Sequence, residues 1–420
     1  MSAGRRLHAL AARAVALAAL AAAPAVAAAA SGGADPDFAR CLAALRAQGE
    51  ARGVSAQTFD RHTKGIAPDR SVLALLDYQP EFVTPVWDYL AALVDDERIA
   101  HGRAMLARWS DTLDAIERRF GVDRHTVVAV WGVESDYGKS FGSRPLLVSL
   151  ATLSCDGRRQ SFFRGEFLNA LRILQEGHVE ADRLVGSWAG AFGHTQFMPS
   201  SFLRLAVDFD GDGRRDVVGS VPDALASTAN FLVQAGWRSG EPWGFEARVP
   251  PGLDPAQAER RNRKTLAQWS ALGVRRVDGA PLAGTERALA PDTRAAVLLP
   301  AGASGPAFVV LRNFDAIFSY NASTSYGLAI AHLADRLRGG GPFAARWPTD
   351  DPGLSRAERR ELQTLLVLRG HDIGPIDGMI GARTREAVVA EQTRLGFEAN
   401  GRAGAKILEA LRPAPGQPPR

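Results

Sequence analysis

The sequence predicts a mainly α fold (α+β overall), with a large helical domain that carries a small β-containing insertion and a small helical domain at the C-terminal end. Three observations carry this expectation. Apolar residues recur at helical spacing over most of residues 37–337. Between Gly236 and Pro306 that spacing gives way to Trp, Pro and Gly with short β-like runs and charged spacers. A Gly/Pro-rich stretch, GGGPFAARWPTDDPG at 339–353, reads as a linker before a compact amphipathic unit at 354–412.

The N-terminus is a separate matter. Arg5, Arg6 and His8 precede an Ala/Leu/Val run from Leu10, and small residues around Ala25–Ala30 offer A-x-A cleavage options. Residues 1–30 therefore read as a secretory signal peptide; an alanine-rich run broken by Pro24 suits a membrane anchor poorly. No second long apolar segment follows, so a soluble exported protein is expected. Cys41 and Cys155 make an even count in an oxidising compartment, and are either a disulfide or two separate buried thiols. The net charge of +4 is spread along the chain, with no basic run interleaved with aromatics, which argues against nucleic acid as a partner.

Residues 37–120 read as helices. Phe38, Leu42 and Leu45 form one stripe, Val72, Leu73, Leu75 and Leu76 another, and Ile99–Phe120 one long amphipathic pattern. Between them YQPEFVTPVWDYL, 78–90, sets aromatics beside Pro80 and Pro85, either as core or as the lining of a groove. In VVAVWGVESDYG, 127–138, apolar residues cover more than one helical face, which predicts a helix buried nearly all round. Glu134 sits at its end. Partial desolvation there disfavours the carboxylate and raises its pKa, as a general acid requires; a glutamate held by backbone or arginine partners is the alternative. Residues 146–174 read as two helices parted at Asp156-Gly157, with Arg158 and Arg159 at the exposed start of the second. GSWAGAFGHTQFMPSSF, 186–202, describes a tight turn in which Ser187 and Gln196 are polar groups seeking partners.

Asp208, Asp210, Asp212 and Asp216, with Gly213 at the sixth loop position, reproduce most of an EF-hand calcium loop. The twelfth position is Gly219 instead of glutamate, and Asp223 is the nearest replacement. Either a structural calcium or a metal-free acidic turn fits. Helical character returns at 313–337, where Tyr320 and Tyr326 flank a polar segment. The 354–412 unit has no catalytic cluster, and a lone His371 is no metal site. Its size suits a binding module, and the Pro-rich residues 413–420 read as a disordered tail.

In combination VWGVESDYG, LATLSCDGRR, GSWAGAFGHTQFMPSSF, the DFDGDG loop with PDALAS, and NFDAIFSYNASTSYGLA resemble, in this order, the B-type lytic murein transglycosylases of Gram-negative bacteria. ELQTLL, GPIDGMIG, Thr384, Ala387-Val388 and Gln392 resemble the helical peptidoglycan-binding domain, although Glu391 stands where that family has an apolar residue. The resemblance implies a lysozyme-like catalytic domain over 35–338, a periplasmic location, and glycan strands of peptidoglycan as substrate. It implies non-hydrolytic cleavage of the bond between N-acetylmuramic acid and N-acetylglucosamine, leaving 1,6-anhydromuramoyl ends, with Glu134 as the one acid and base. Ser187, Gln196, Phe197, Asn230, Tyr320 and Tyr326 match residues on the sugar side, and Arg158 and Arg159 match arginines suited to peptide carboxylates; Phe231 stands where some relatives have tyrosine. No cofactor is needed for such chemistry, a structural calcium aside, and wall-synthesis or division proteins are further candidate partners. A hydrolytic muramidase with a second carboxylate, and a non-catalytic wall-binding protein, are the competing expectations.

Overall fold

The computed structural model describes residues 35–77, 80–284 and 289–413. The expected signal peptide, Tyr78 and the tail beyond residue 413 lie outside them. Among the described residues no helix is long and apolar enough to cross a membrane.

Two helical cores meet at the centre of the large domain. The first surrounds helix Arg124–Ser135, in which every residue from Thr126 to Gly132 is buried, matching an apolar pattern that covers the whole helix circumference. Helices Thr324–Leu337, Asp96–Arg108, Ser110–Phe120 and Val221–Gln234 enclose it. Its ends are set by side chain and backbone: Asp123 Oδ2 accepts from Thr126 N at 3.0 Å, and the chain leaves through Asp136 in the left-handed region (φ +50°). The second core is built on the antiparallel pair Leu146–Cys155 and Gln160–Gln175, around Leu150, Phe167, Leu171, Phe192 and Phe202. Phe231 and Tyr320 touch both cores.

The single amphipathic run expected over Ile99–Phe120 is two helices, Asp96–Arg108 and Ser110–Phe120, parted at Trp109 (φ −108°, ψ 22°). A one-residue kink escapes a periodicity reading because Ile99, Leu113 and Ile116 still face the same core.

The insertion holds a five-stranded antiparallel sheet in the order Lys264–Thr265, Arg294–Leu298, Ala307–Val310, Gly244–Arg248, Arg275–Arg276. Alternation along the strands divides its faces. Ala296, Leu298, Phe308 and Val310 join the core of helix Arg124–Ser135, while Ala295, Val297 and Val309 pack with Phe245, Leu266 and Trp269 in a core of the insertion's own.

The 339–353 stretch has no regular element, as its glycines and prolines predict, yet it is docked along its length. Phe343 stacks on His332 with ring centres 3.8 Å apart, Trp347 lies against Trp87, and Glu246 accepts from Ala344 N and Ala345 N, each at 2.7 Å. Two aromatic rings give this segment enough apolar area to fasten it. Beyond it helices Arg356–Leu368, Ala382–Leu395 and Ala405–Leu411 close around Leu362, Leu366, Val388, Ile407 and Leu411. Ser355 and Glu358 form a capping box at the first of these. Glu391, the departure noted in the sequence, is buried; Arg394 (2.7 Å) pairs with its carboxylate and His371 hydrogen-bonds it at 2.9 Å.

The two cysteines are bonded. Cys41 on helix Pro36–Glu50 and Cys155 at the end of Leu146–Cys155 form a disulfide that closes a span of 114 residues. Loop-closure entropy makes so long a span effective, so Cys155→Ser is expected to cost about 2–4 kcal/mol. Urea unfolding checks this: the variant's midpoint falls below that of the oxidised protein and no longer responds to reductant, whereas an unmoved midpoint would leave the bond without a stabilising role.

Candidate active site

Glu134 projects from the last turn of helix Arg124–Ser135 onto the floor of a cleft of about 1040 Å³. It is closely surrounded by protein yet keeps part of its surface open to the cleft. Burial pushes its carboxyl up to about 7; the hydrogen bond from Tyr326 opposes the rise and the charge of Glu81 adds to it. The position reinforces this, because the C-terminal end of a helix carries partial negative charge.

Tyr326, in the first turn of helix Thr324–Leu337, donates its hydroxyl to Glu134 Oε1. Ser323 caps that helix by accepting from Tyr326 N, and gives its own hydroxyl to the Glu81 carbonyl at 3.0 Å. Tyr320, on helix Arg312–Asn321, lies parallel to Tyr326 with ring centres 6.4 Å apart and donates to the Thr195 carbonyl at 2.8 Å. The two tyrosines thus come from different helices and form a wall beside the acid, Tyr326 buried and Tyr320 partly so. Phe197 and Phe231 meet Tyr320 from the other side, at 6.0 and 4.5 Å.

The 186–197 turn is tied directly to the acid-bearing helix. Ser135 Oγ donates to the His194 carbonyl at 2.5 Å and accepts from Gly138 N at 3.0 Å. Trp131 Nε1 donates to His194 Nδ1 at 3.1 Å, which requires that nitrogen to be unprotonated; burial lowers this imidazole to about 4. Gly138 (φ +85°) lies against the same ring, where a Cβ would come within 2.6 Å of it.

Other expected residues hold this architecture together. Gln196 Nε2 donates to the carbonyls of Gly193 (3.0 Å) and Phe141 (3.2 Å), Ser187 Oγ accepts from Ala191 N (3.1 Å), and Asn230 Nδ2 donates to the Leu205 carbonyl (2.8 Å). Arg158 reaches the Leu76 carbonyl at 3.2 Å, and Arg159 lies over the Phe162 ring at 4.7 Å. Of the expected site residues, Glu134 lines the cleft, with Tyr326 bonded to it and Tyr320 behind.

The acidic loop is narrower than its spacing implied. Asp208, Asp210 and Asp212 each bring one carboxylate oxygen within 4.8 Å of the others. Asp216 and Asp223 do not join them, which corrects the five-residue set: Asp223 accepts from Phe209 N, Asp210 N and Asp216 N, and Asp216 accepts from Val218 N and Gly219 N. The clustered three accept from loop amides as well, Asp208 from Gly211 N and Gly213 N, so it is the spacing of the carboxylates that leaves Asp216 and Asp223 outside the patch. Three oxygen donors in one patch, with Gly213 at φ +87° where the loop bends, fit a hard cation completed by water.

Sequence reading missed the opposite wall. Glu134, Ser135 and Asp136 face Arg356, Arg359, Met379 and Asn400 of the C-terminal domain across the cleft. One signal was present. Arg356, Arg359 and Arg360 crowd the first turns of a helix, where the dipole disfavours cations, so they need partners elsewhere.

The sequence profile of the transglycosylase SLT domain matches residues 37–335, and that of the peptidoglycan binding domain matches residues 355–411. Membrane-bound lytic murein transglycosylase B of Escherichia coli (strain K12) is 31% identical over 266 residues, which are 63% of this chain and 67% of that protein. SltB3 from Pseudomonas aeruginosa, solved in complex with NAG-anhNAM-pentapeptide, is similar with a TM-score of 0.71 and 48% identity, over 90% of this chain and 99% of that one. Slt35 from Escherichia coli, solved in complex with calcium, is similar with a TM-score of 0.61 and 28% identity, over 72% and 93% respectively.

The raised carboxyl has a thermodynamic consequence. Because the folded protein holds the Glu134 proton more tightly than the unfolded chain, this group's contribution to stability is full below its unfolded value and is lost as pH rises through about 7. Glu134→Gln removes that loss, so the variant is expected to melt above the parent at pH 8 and to converge with it near pH 5. A melting difference independent of pH would contradict the raised value.

Proposed function

This chain belongs to the SLT family of lytic murein transglycosylases, enzymes that cleave peptidoglycan, and we propose that it breaks the β-1,4 bond between N-acetylmuramic acid and N-acetylglucosamine without water, using Glu134 as its single acid and base. The carrying observation is Glu134 on the cleft floor, protonated up to about pH 7 and hydrogen-bonded to Tyr326. The carboxyl gives its proton to the glycosidic oxygen as the C1–O bond breaks, so the leaving sugar departs with a hydroxyl. The substrate's acetamido group stabilises the oxocarbenium-like C1. The muramoyl 6-hydroxyl then forms the C1–O6 bond and returns its proton to the Glu134 carboxylate, restoring the starting state. Tyr326 holds the carboxylate between the two transfers. SltB3's complex with NAG-anhNAM-pentapeptide supports an anhydro product.

A hydrolase would need a second free carboxylate to activate water. Asp136, two residues along, is engaged by Arg356 at 2.8 Å. Asp88 and Asp377 on the cleft lining are held by Arg402 and Gln363, and Glu81, whose charge raises Glu134, is the candidate to test. Mass spectrometry of products from purified peptidoglycan decides between the readings. Anhydromuropeptides are expected from the parent and from Glu81→Gln, and none from Glu134→Gln; reducing-end products lost in Glu81→Gln would establish the hydrolase. The alkaline limb of kcat/KM is expected near pH 7, where the acid loses its proton, and Glu81→Gln is expected to move it downward.

The peptidoglycan binding domain supports contact with the polymer beyond the cleaved bond. A periplasmic location is supported by the leader-like N-terminus and by the disulfide, a bond rare in reducing compartments. Asp208, Asp210 and Asp212 would hold a calcium ion, whose charge would offset three clustered carboxylates on the loop between helices Pro199–Leu205 and Val221–Gln234. No chemical step passes through it. Millimolar calcium is accordingly expected to raise the melting temperature of the parent, by mass action on the folded state, but not that of Asp210→Asn; an unmoved parent would leave the loop a metal-free turn.

A further inference from the structure

The acid-bearing helix ends in a conformation that needs support. Asp136 (φ +50°) and Tyr137 (φ +59°) are both left-handed, which is tolerable for aspartate and costly for tyrosine. Tyr137 folds back so that its ring lies where a Cβ on Gly132 would come within 2.6 Å, and its hydroxyl donates to the Arg98 carbonyl at 2.9 Å. The turn directly follows Glu134, the cleft-lining residue on the helix's last turn.

The charge beside that turn is compensated from another domain. Arg356 Nη1, in the first turn of helix Arg356–Leu368, bonds Asp136 Oδ2 at 2.8 Å, and both side chains are 15% exposed. Arg98 lies 3.7 Å from the other oxygen of Asp136, and that oxygen has no hydrogen-bond partner among the described residues. Asp95, nearly buried, is 4.0 Å from Arg356 and also keeps one unpartnered oxygen. Removing Arg356 therefore takes away the closest cation of Asp136, two residues after the acid, leaving Arg98 at 3.7 Å and Lys139 at 3.8 Å, and weakens the compensation of buried Asp95 at the start of helix Asp96–Arg108.

This contact is one of a matched set. Arg402 holds Asp88 through two bonds, at 2.7 and 3.1 Å, and Arg360 pairs with Glu97. Acidic groups thus lie on the large domain and arginines on the C-terminal one, so the two meet in a single register. A module that only tethered the protein to its polymer would not need an arginine bonded to Asp136, the residue two along from the acid.

We propose that Arg356 of the C-terminal domain is a positioning residue for Glu134. Through Asp136 it locks the end of the acid-bearing helix, which makes that domain part of the catalytic unit as well as a binding element. The proposal rests on Glu134 being the acid.

The test uses the full-length protein and short, soluble, uncrosslinked glycan strands, with wall binding measured separately by sedimentation with insoluble peptidoglycan. Arg356→Gln and Asp136→Asn are each expected to lower kcat about tenfold, ~1.4 kcal/mol in the barrier, with KM nearly unchanged and sedimentation retained. The double variant is expected to be no slower than either single one, because both act through one contact. Arg356→Lys keeps the charge and is expected to recover most of the turnover. Asparagine tolerates the left-handed backbone, so Asp136→Asn reports on charge with the fold preserved. Parent-like turnover in Arg356→Gln, a loss confined to KM or sedimentation, or multiplicative losses in the double variant would each overturn the clasp while leaving Glu134 as the acid. An active Glu134→Gln protein would overturn both.

Discussion

The partial removal of one carboxyl group from water is the constraint on which the rest depends. Glu134 stands at the end of a helix whose residues Thr126–Gly132 are all buried, so it cannot move outward without pulling an apolar rod through its own core. The negative end of the helix dipole and the low polarity around the group both favour the protonated form. Tyr326 works against them just enough to keep the carboxylate accessible, since its hydroxyl bonds the charged state well. A value near neutrality is the balance between these forces, and it suits a group that must give a proton and then take one back.

Two carboxylates two residues apart are driven in opposite directions. Burial raises Glu134, whose neighbours are aromatic rings and a tyrosine hydroxyl. Burial also acts on Asp136, but the hydrogen bond and charge of Arg356, with Arg98 and Lys139, outweigh it and hold that carboxyl low. One group is therefore available as an acid while the other is a fixed anion anchoring the helix end. Divergent environments of this kind assign different roles within an acidic pair, in keeping with the proposed one-acid mechanism.

The surrounding scaffold fixes the cleft from three directions. The sheet insertion splits its strand faces between the helical core and a core of its own, and Glu246 on strand Gly244–Arg248 fastens the stretch that runs on to the C-terminal domain. The disulfide joins the first described helix to the pair beside the 186–197 turn. That turn is in turn held by Ser135, Trp131 and Tyr320. Hydrogen bonds from Ser135 and Trp131 thus tie the turn directly to the acid-bearing helix.

The sequence by itself determined the buried helix with Glu134 at its end, the β-containing insertion and the helical C-terminal unit, because these depend on residue spacing along one segment, which local periodicity records directly. It marked Ser187 and Gln196 as polar groups with partners in the protein or the substrate, and Asn230 as a substrate-side residue; within the fold all three bond backbone carbonyls and amides of their own scaffold, which spacing does not encode. The acidic loop shows the same limit: of five aspartates at ligand-like intervals, three bring carboxylate oxygens together and two lie apart, although all of them accept from loop amides. Only the tertiary structure decided that Tyr326 reaches Glu134, that the two cysteines meet, and that Arg356 closes on Asp136 across 220 residues. Each of these joins groups far apart in the chain, and their approach is set by how whole helices pack, a sum of many small contacts that no single segment carries.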